Sequence, residues 1–253
     1  MSGLMTRRRL IATGITAAVG ASGLAAAARI AKRYGLIPPD HSGIYGVGNT
    51  LTYASQRILT ANHSRAREFS RSEISTITPV NGGPPESEEY ERLGSDTFRD
   101  WRLTVDGLVA RPTTFSLSEL RRFPQRSQIT AHACEEGWSF IAQWTGVPLS
   151  TVLDYVGIAP AARFVVLVPF DQYWDSIDMA DAAHPQTLLA YGMNGTDLPA
   201  DHGAPLRIRV ERQLGYKSIK YLKRLTVVDS LEHVRNGLGS LSPDIGYSWY
   251  AGI

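Results

Sequence analysis

The sequence predicts an α+β fold of mixed sheets and short helices. Three observations predict it: strand-like and helix-like segments interleave irregularly between residues 101 and 228, no segment repeats, and regular βαβ spacing is lacking.

Each element has a local cause. Residues 101–109 alternate like a strand and turn at Gly107. Ser116 and Glu119 stand at capping-box spacing, which predicts a short helix that Pro124 stops. Residues 128–132 read as a strand that delivers Cys134 to a loop at its end. Pro148 starts and Gly157 stops a helix, and residues 164–168, 187–191, 206–210 and 221–228 are further strands.

Residues 29–97 read as an irregular arm packed over a main domain at 98–253. Pro38-Pro39, Gly43, Gly46, Gly48, the run Asn81-Gly82-Gly83-Pro84-Pro85 and the charged residues 86–91 break any long periodicity, with helix-like polar pieces at 56–69. Residues 10–28 carry no charge, follow Arg7-Arg8-Arg9 and end in four alanines. That pattern reads as a twin-arginine signal peptide over 1–28, addressing the chain to the periplasm. A retained membrane anchor is the competing reading, since the stretch is nearly long enough to span a bilayer; Gly14, Gly20 and Gly23 make it only weakly apolar.

The charge balance argues against a nucleic-acid partner. The chain has 26 Lys+Arg against 24 Asp+Glu, so removing Arg7, Arg8 and Arg9 subtracts three and turns +2 into −1. The remaining residues suffice for one sizeable core.

Cys134 is the single cysteine. An internal disulfide is therefore excluded, and three readings stand: a buried structural thiol, a nucleophile served by His132, or a metal ligand. Glu135 and Glu136 argue against a wholly apolar site and also against an activated thiolate. No Cys/His cluster completes a zinc site, whereas one soft thiolate suits a metal whose other ligands come from a cofactor.

Five motifs follow in order: Cys134-Glu-Glu-Gly-Trp138-Ser139, Trp144-Thr-Gly-Val-Pro148-Leu149, His184-Pro-Gln-Thr, Leu198-Pro-Ala-Asp-His-Gly-Ala-Pro-Leu-Arg207 and Gly215-Tyr-Lys-Ser-Ile-Lys220. This series resembles the molybdopterin-binding domain of the sulfite oxidase family, in the bacterial exported branch that includes periplasmic methionine-sulfoxide reductases. The resemblance spans residues 98–229 and rests on several spaced motifs in one order.

The resemblance implies a molybdenum-molybdopterin oxidoreductase with Cys134 as the metal ligand. It places the cofactor on Ser218, Ile219 and Lys220, with Lys217 adding charge and Arg207 binding cofactor, and it aligns Asn81 with a pterin-binding Asn. His202 stands where the reductases carry Asn, and His132 shares a strand face with Cys134. Each has a plainer reading: a basic turn at 215–220, a surface Arg207, a turn-forming Asn81-Gly82, a core His132. His184 reads as a structural turn residue. Gly82-Gly83 replaces a family Tyr-Glu pair and Pro169 falls near a pterin-contacting Thr, so cofactor placement carries over better than substrate recognition.

The implied reaction is two-electron oxygen-atom transfer on a small-molecule substrate. The electron partner would be a membrane haem protein or a soluble cytochrome, because the chain has no haem-attachment Cys-x-x-Cys-His. Glu135 and Glu136 disfavour a dianion and favour a neutral S-oxide or N-oxide; Arg209 or Arg212 turned inward would instead permit sulfite dehydrogenation. Asp171, Tyr173 and Trp174 are candidate pocket residues. The 24 residues after Asp229 are too few for the family's immunoglobulin-like dimerisation domain, which implies a monomer or a heterodimer with a membrane subunit. An exported scaffold lacking the metal is the reading from another class.

Overall fold

Two five-stranded sheets organise the chain in a computed structural model that describes residues 29, 31, 35–59 and 64–253. The signal-peptide reading of 1–28 lies outside these residues. The first sheet has the order β2-β1-β10-β5-β6, from β1 (Arg102–Gly107), β2 (Thr113–Ser116), β5 (Phe164–Pro169), β6 (Asp175–Asp178) and β10 (Leu222–Val228). Only β1 and β10 of that sheet pair in parallel. The second joins β3 (Arg126–Ala133), β4 (Ser139–Pro148), β7 (Leu188–Met193) and β8 (Thr196–Asp197), with β9 (Arg207–Arg209) beside β8 on the edge of β7 opposite β4.

The patterns in the sequence build the core directly. Alternation in β1 buries Leu103 and Val105, which pack with Leu167 of β5 and Leu225 and Val227 of β10. A helix at Leu149–Val156 adds Leu149, Val152, Leu153 and Val156, an i, i+3, i+4, i+7 stripe. Gly157 ends it with φ +71° and donates its N–H to Leu153 O. Each fully buried side chain of this size contributes about 1.5–3 kcal/mol. The capping box forms as read: Ser116 Oγ accepts from Glu119 N at 3.2 Å, and Glu119 Oε2 accepts from Ser116 N at 2.8 Å.

The arm departs from its reading in two places. Residues 64–69 are extended, because Phe69 N donates to Ile129 O of β3 and Glu68 bridges Thr130. The helix lies earlier, as α1 (Gly46–Leu59), and the charged run opens α2 (Glu88–Ser95). Ser87 caps α2 by accepting from Tyr90 N, and carboxylates in the first turn complement the helix dipole.

The arm and the C-terminal tail clasp each other over the first sheet. Tyr53 of α1 donates to Asp178 Oδ2 at 2.7 Å and meets Trp249 and Tyr250 edge-on. Arg57 pairs with Asp178 at 2.8 Å and Asp181 at 2.6 Å, and Trp249 N donates to Asp40 at 2.8 Å.

Candidate active site

The β3–β4 hairpin sets the position of Cys134. Its register pairs His132 with Phe140 and Ala133 with Ser139, leaving residues 134–138 as the loop. Cys134 N donates to Trp138 O at 2.9 Å, and Gly137 N donates back to Cys134 O at 3.1 Å. Gly137 has φ +90°, a conformation that side-chain-bearing residues rarely adopt.

The thiol lies at the wall of a cavity of about 370 Å³. Sγ sits 3.4 Å from Glu135 Oε2 and 3.9 Å from Glu136 Oε2, while Asn81 Nδ2 approaches it at 3.8 Å. Burial pushes the thiol pKa up, helped by the Glu135 carboxylate. A free thiolate is thus disfavoured, and a bound cation is what would stabilise it. Among the described residues no group of three His, Cys, Asp or Glu could hold a metal ion, so any metal here must bring most of its own ligands.

Other parts of the same cavity carry positive charge without a carboxylate bonded to it. Arg207 is buried and donates to two carbonyls, His202 O at 3.0 Å and Ser218 O at 2.7 Å; its Nε has no partner among the described residues. Lys220 donates to Asn81 O at 2.7 Å and Asp201 O at 3.1 Å. Burial, then repulsion from Arg209, lowers Arg207 to about 9; burial, then Arg207, lowers Lys220 to about 8. Both depressions mark a site short of negative charge, which an anionic ligand would supply.

His132 has a defined tautomer. Arg209 Nη1 donates to its Nδ1, and a guanidinium can only donate, so the neutral ring carries its proton on Nε2. Burial, then Arg209, holds its pKa far below the ordinary histidine range. Arg209 itself is bound by Glu211 at 2.7 Å, and the guanidinium carbons of Arg207 and Arg209 lie 5.1 and 4.4 Å from the Trp144 ring centre. His202 Nε2 shares a hydrogen bond of 3.2 Å with Thr78 Oγ1, and its pKa is lowered to about 4, first by burial and then by Arg207.

Nearly all the residues singled out from sequence meet here: Asn81, His132, Cys134, His202, Arg207, Ser218, Ile219 and Lys220 line the one cavity. Lys217 does not. Its ammonium is bound by Asp175 and Ser176 O and lies 5.0 Å from the Trp249 ring centre, so it braces the loop and is not presented as free charge. Arg209 and Arg212 also lie off the cavity wall, paired with Glu211 and with Asp181 at 2.6 Å. Asp171, Tyr173 and Trp174 do line it. His184 is structural, with Nε2 at 3.0 Å from Ser64 O.

Sequence reasoning missed the tail as a wall. Leu241, Ser242, Ile245 and Tyr247 line the cavity, and Tyr247 packs against Tyr216 at 5.3 Å. The only signal was the density of aromatics at 247–250. Gly215 is a point of close approach within the protein: a Cβ there would meet His132 Nε2 at 2.8 Å and Ala133 O at 3.0 Å.

One thiol, two under-compensated cations and a close-packed glycine loop around one cavity fit an anionic, metal-carrying cofactor and define a cofactor-dependent oxidoreductase site. Residues 92–234 match the oxidoreductase molybdopterin binding domain. The chain belongs to that family, and the cofactor is molybdenum-molybdopterin.

Relatives agree. The chain is 42% identical over 164 residues to the provisionally named protein-methionine-sulfoxide reductase subunit YedZ1 of Azospira oryzae, covering 63% of this chain and 60% of the relative. It is 28% identical over 243 residues to the protein-methionine-sulfoxide reductase catalytic subunit MsrP of Ralstonia nicotianae, covering 88% and 69%. The sulfane dehydrogenase SoxCD of Paracoccus pantotrophus superposes with TM-score 0.50 at 26% identity, over 53% of this chain and 40% of that one. The chain thus spans less than two thirds of the YedZ1 relative.

Proposed function

We propose that this protein is an exported oxygen-atom-transfer enzyme acting on a small neutral S-oxide or N-oxide. When bound, the cofactor supplies a two-electron centre able to exchange an oxygen atom with substrate. Cys134 ligates the metal; Arg207, Lys220 and the backbone at Ser218 and Ile219 hold the anionic end; His132, His202 and Asn81 hydrogen-bond the pterin. His132 does so as an Nε2–H donor, fixed by Arg209. Glu135 and Glu136 set the substrate charge: two carboxylates within 4 Å of Sγ oppose a dianion such as sulfite. The pairing of Arg209 with Glu211 and of Arg212 with Asp181 supports the same reading, since neither arginine is turned toward the cavity to receive sulfite. Electrons come from an external carrier, a membrane haem protein or a soluble cytochrome, after twin-arginine export to the periplasm.

The observation that carries this reading is the placement of Cys134 in one cavity with Arg207 and Lys220. Protein matured in cells that make the cofactor should hold about one molybdenum per chain and reduce neutral S-oxides with an artificial donor in preference to oxidising sulfite. Cys134→Ser should lose metal. Metal-free wild type would instead support a scaffold, and a Cys134→Ser protein with unchanged molybdenum and spectrum would rule out direct ligation.

A further inference from the structure

The outward face of α1 is uncharged, which is unusual for a helix facing water. Ile44 just before it and Val47, Leu51 and Ile58 on it are 97%, 79%, 64% and 64% exposed. Val47, Leu51 and Ile58 recur at i, i+4, i+11 on one side, a stripe roughly 16 Å long at 1.5 Å per residue. The other outward positions are Gly48, Thr52, Ser55 and Leu59, the last also exposed. The helix has no carboxylate, and its single cation, Arg57, turns inward to Asp178 and Asp181. A helix on a water-facing surface normally reverses this arrangement, with apolar residues inside and charge outside.

The chain preceding α1 indicates what covers this face. Residues 10–28 are uncharged over 19 positions, close to the roughly 20 apolar residues that a bilayer-spanning segment needs. Seventeen residues then separate Ala28 from Gly46, and Arg29, Lys32 and Arg33 among them favour an anionic surface. That tether keeps α1 within about 60 Å of the uncharged segment even when fully extended.

We propose that α1 lies in the interface of an anionic lipid bilayer, with Ile44, Val47, Leu51 and Ile58 entering the acyl boundary. Tyr53 and Arg57 on the opposite face couple this membrane contact to the tail and to Asp178 of β6. The enzyme is thereby held in a fixed orientation on the lipid surface.

The test uses the holoenzyme as exporting cells produce it, whichever way its N-terminus is processed. An environment-sensitive dye at Ser55→Cys reports the outward face, and a dye at Thr114→Cys, on the opposite edge strand β2, serves as control. With phosphatidylglycerol-containing vesicles the dye at 55 should move to an apolar environment and the dye at 114 should not. V47S/L51S/I58S should weaken that response about tenfold or more, while its thermal unfolding stays unchanged because all three side chains are already exposed. The proposal is overturned if the dye at 55 stays aqueous on pure lipid, whether or not the protein binds the vesicles. It is also overturned if the response survives the triple substitution, if it appears only with native membranes and so reports a protein partner, or if it accompanies dimerisation without lipid.

Discussion

Gly215→Ala separates space from backbone strain at the cofactor loop. Gly215 does not occupy the left-handed region, so alanine fits the backbone and the whole effect lies in the added carbon. That carbon would meet His132 Cε1 at 2.7 Å, His132 Nε2 at 2.8 Å and Ala133 O at 3.0 Å. The imidazole has little room to retreat: Arg209 binds Nδ1, and Phe140 and Trp138 flank the ring at 5.1 and 6.0 Å. The loop, which lines the cavity, must therefore shift away from His132. Overpacking of this kind costs about 1–3 kcal/mol. At about 2–4 °C per kcal/mol for a protein of this size, Tm of the cofactor-free protein should fall by about 2–12 °C. Molybdenum per chain, measured on protein matured in cofactor-making cells, should fall with it. A variant with wild-type Tm and a full metal load would refute the reasoning, because it would mean that His132 and Gly215 are not in fixed contact.

Three more predictions test the surrounding chemistry. Lys217→Met strands the buried Asp175 and should cost about 3–5 kcal/mol in urea unfolding, most of it recovered by adding Asp175→Asn; cofactor loss without destabilisation would instead make Lys217 an anion ligand. Arg57→Ala removes the shared partner of Asp178 and Asp181, so it should cost a similar amount and expose both arm and tail to limited proteolysis; equal protease resistance would show that the clasp does not hold them. His202 is lowered to about 4, so the unfolded chain takes its proton first as pH falls below about 6.5, and stability supplied by the neutral ring is progressively lost down to about pH 4. Urea midpoints of the cofactor-free protein should therefore drop more steeply over that window in wild type than in His202→Asn, and parallel slopes would contradict it.

Elements whose causes are local were legible in the sequence. The Ser116–Glu119 box and the stripe closed by Gly157 depend on neighbours three or four residues away. β4 was not legible: its pairing with β7 breaks register between Thr145 and Gly146, and the tight approach of Leu189 O to Gly146 is set by a strand far along the chain. The placement of Lys217 off the cavity has a related reason. Its position in a basic turn is visible in sequence, but the carboxylate that claims it, Asp175, comes from another strand. Cys134 was readable because one unpaired thiol in a specific motif limits the chemistry, whereas the tail wall at Ser242, Ile245 and Tyr247 carries no motif.

That wall has a consequence for biogenesis. Residues 241–247 complete a chamber whose thiol lies more than a hundred residues earlier in the chain, so the chamber can close only after this segment has been made and has folded back. The tail, seated through Trp249 on Asp40 and Ser176, is what holds that late-made wall in place.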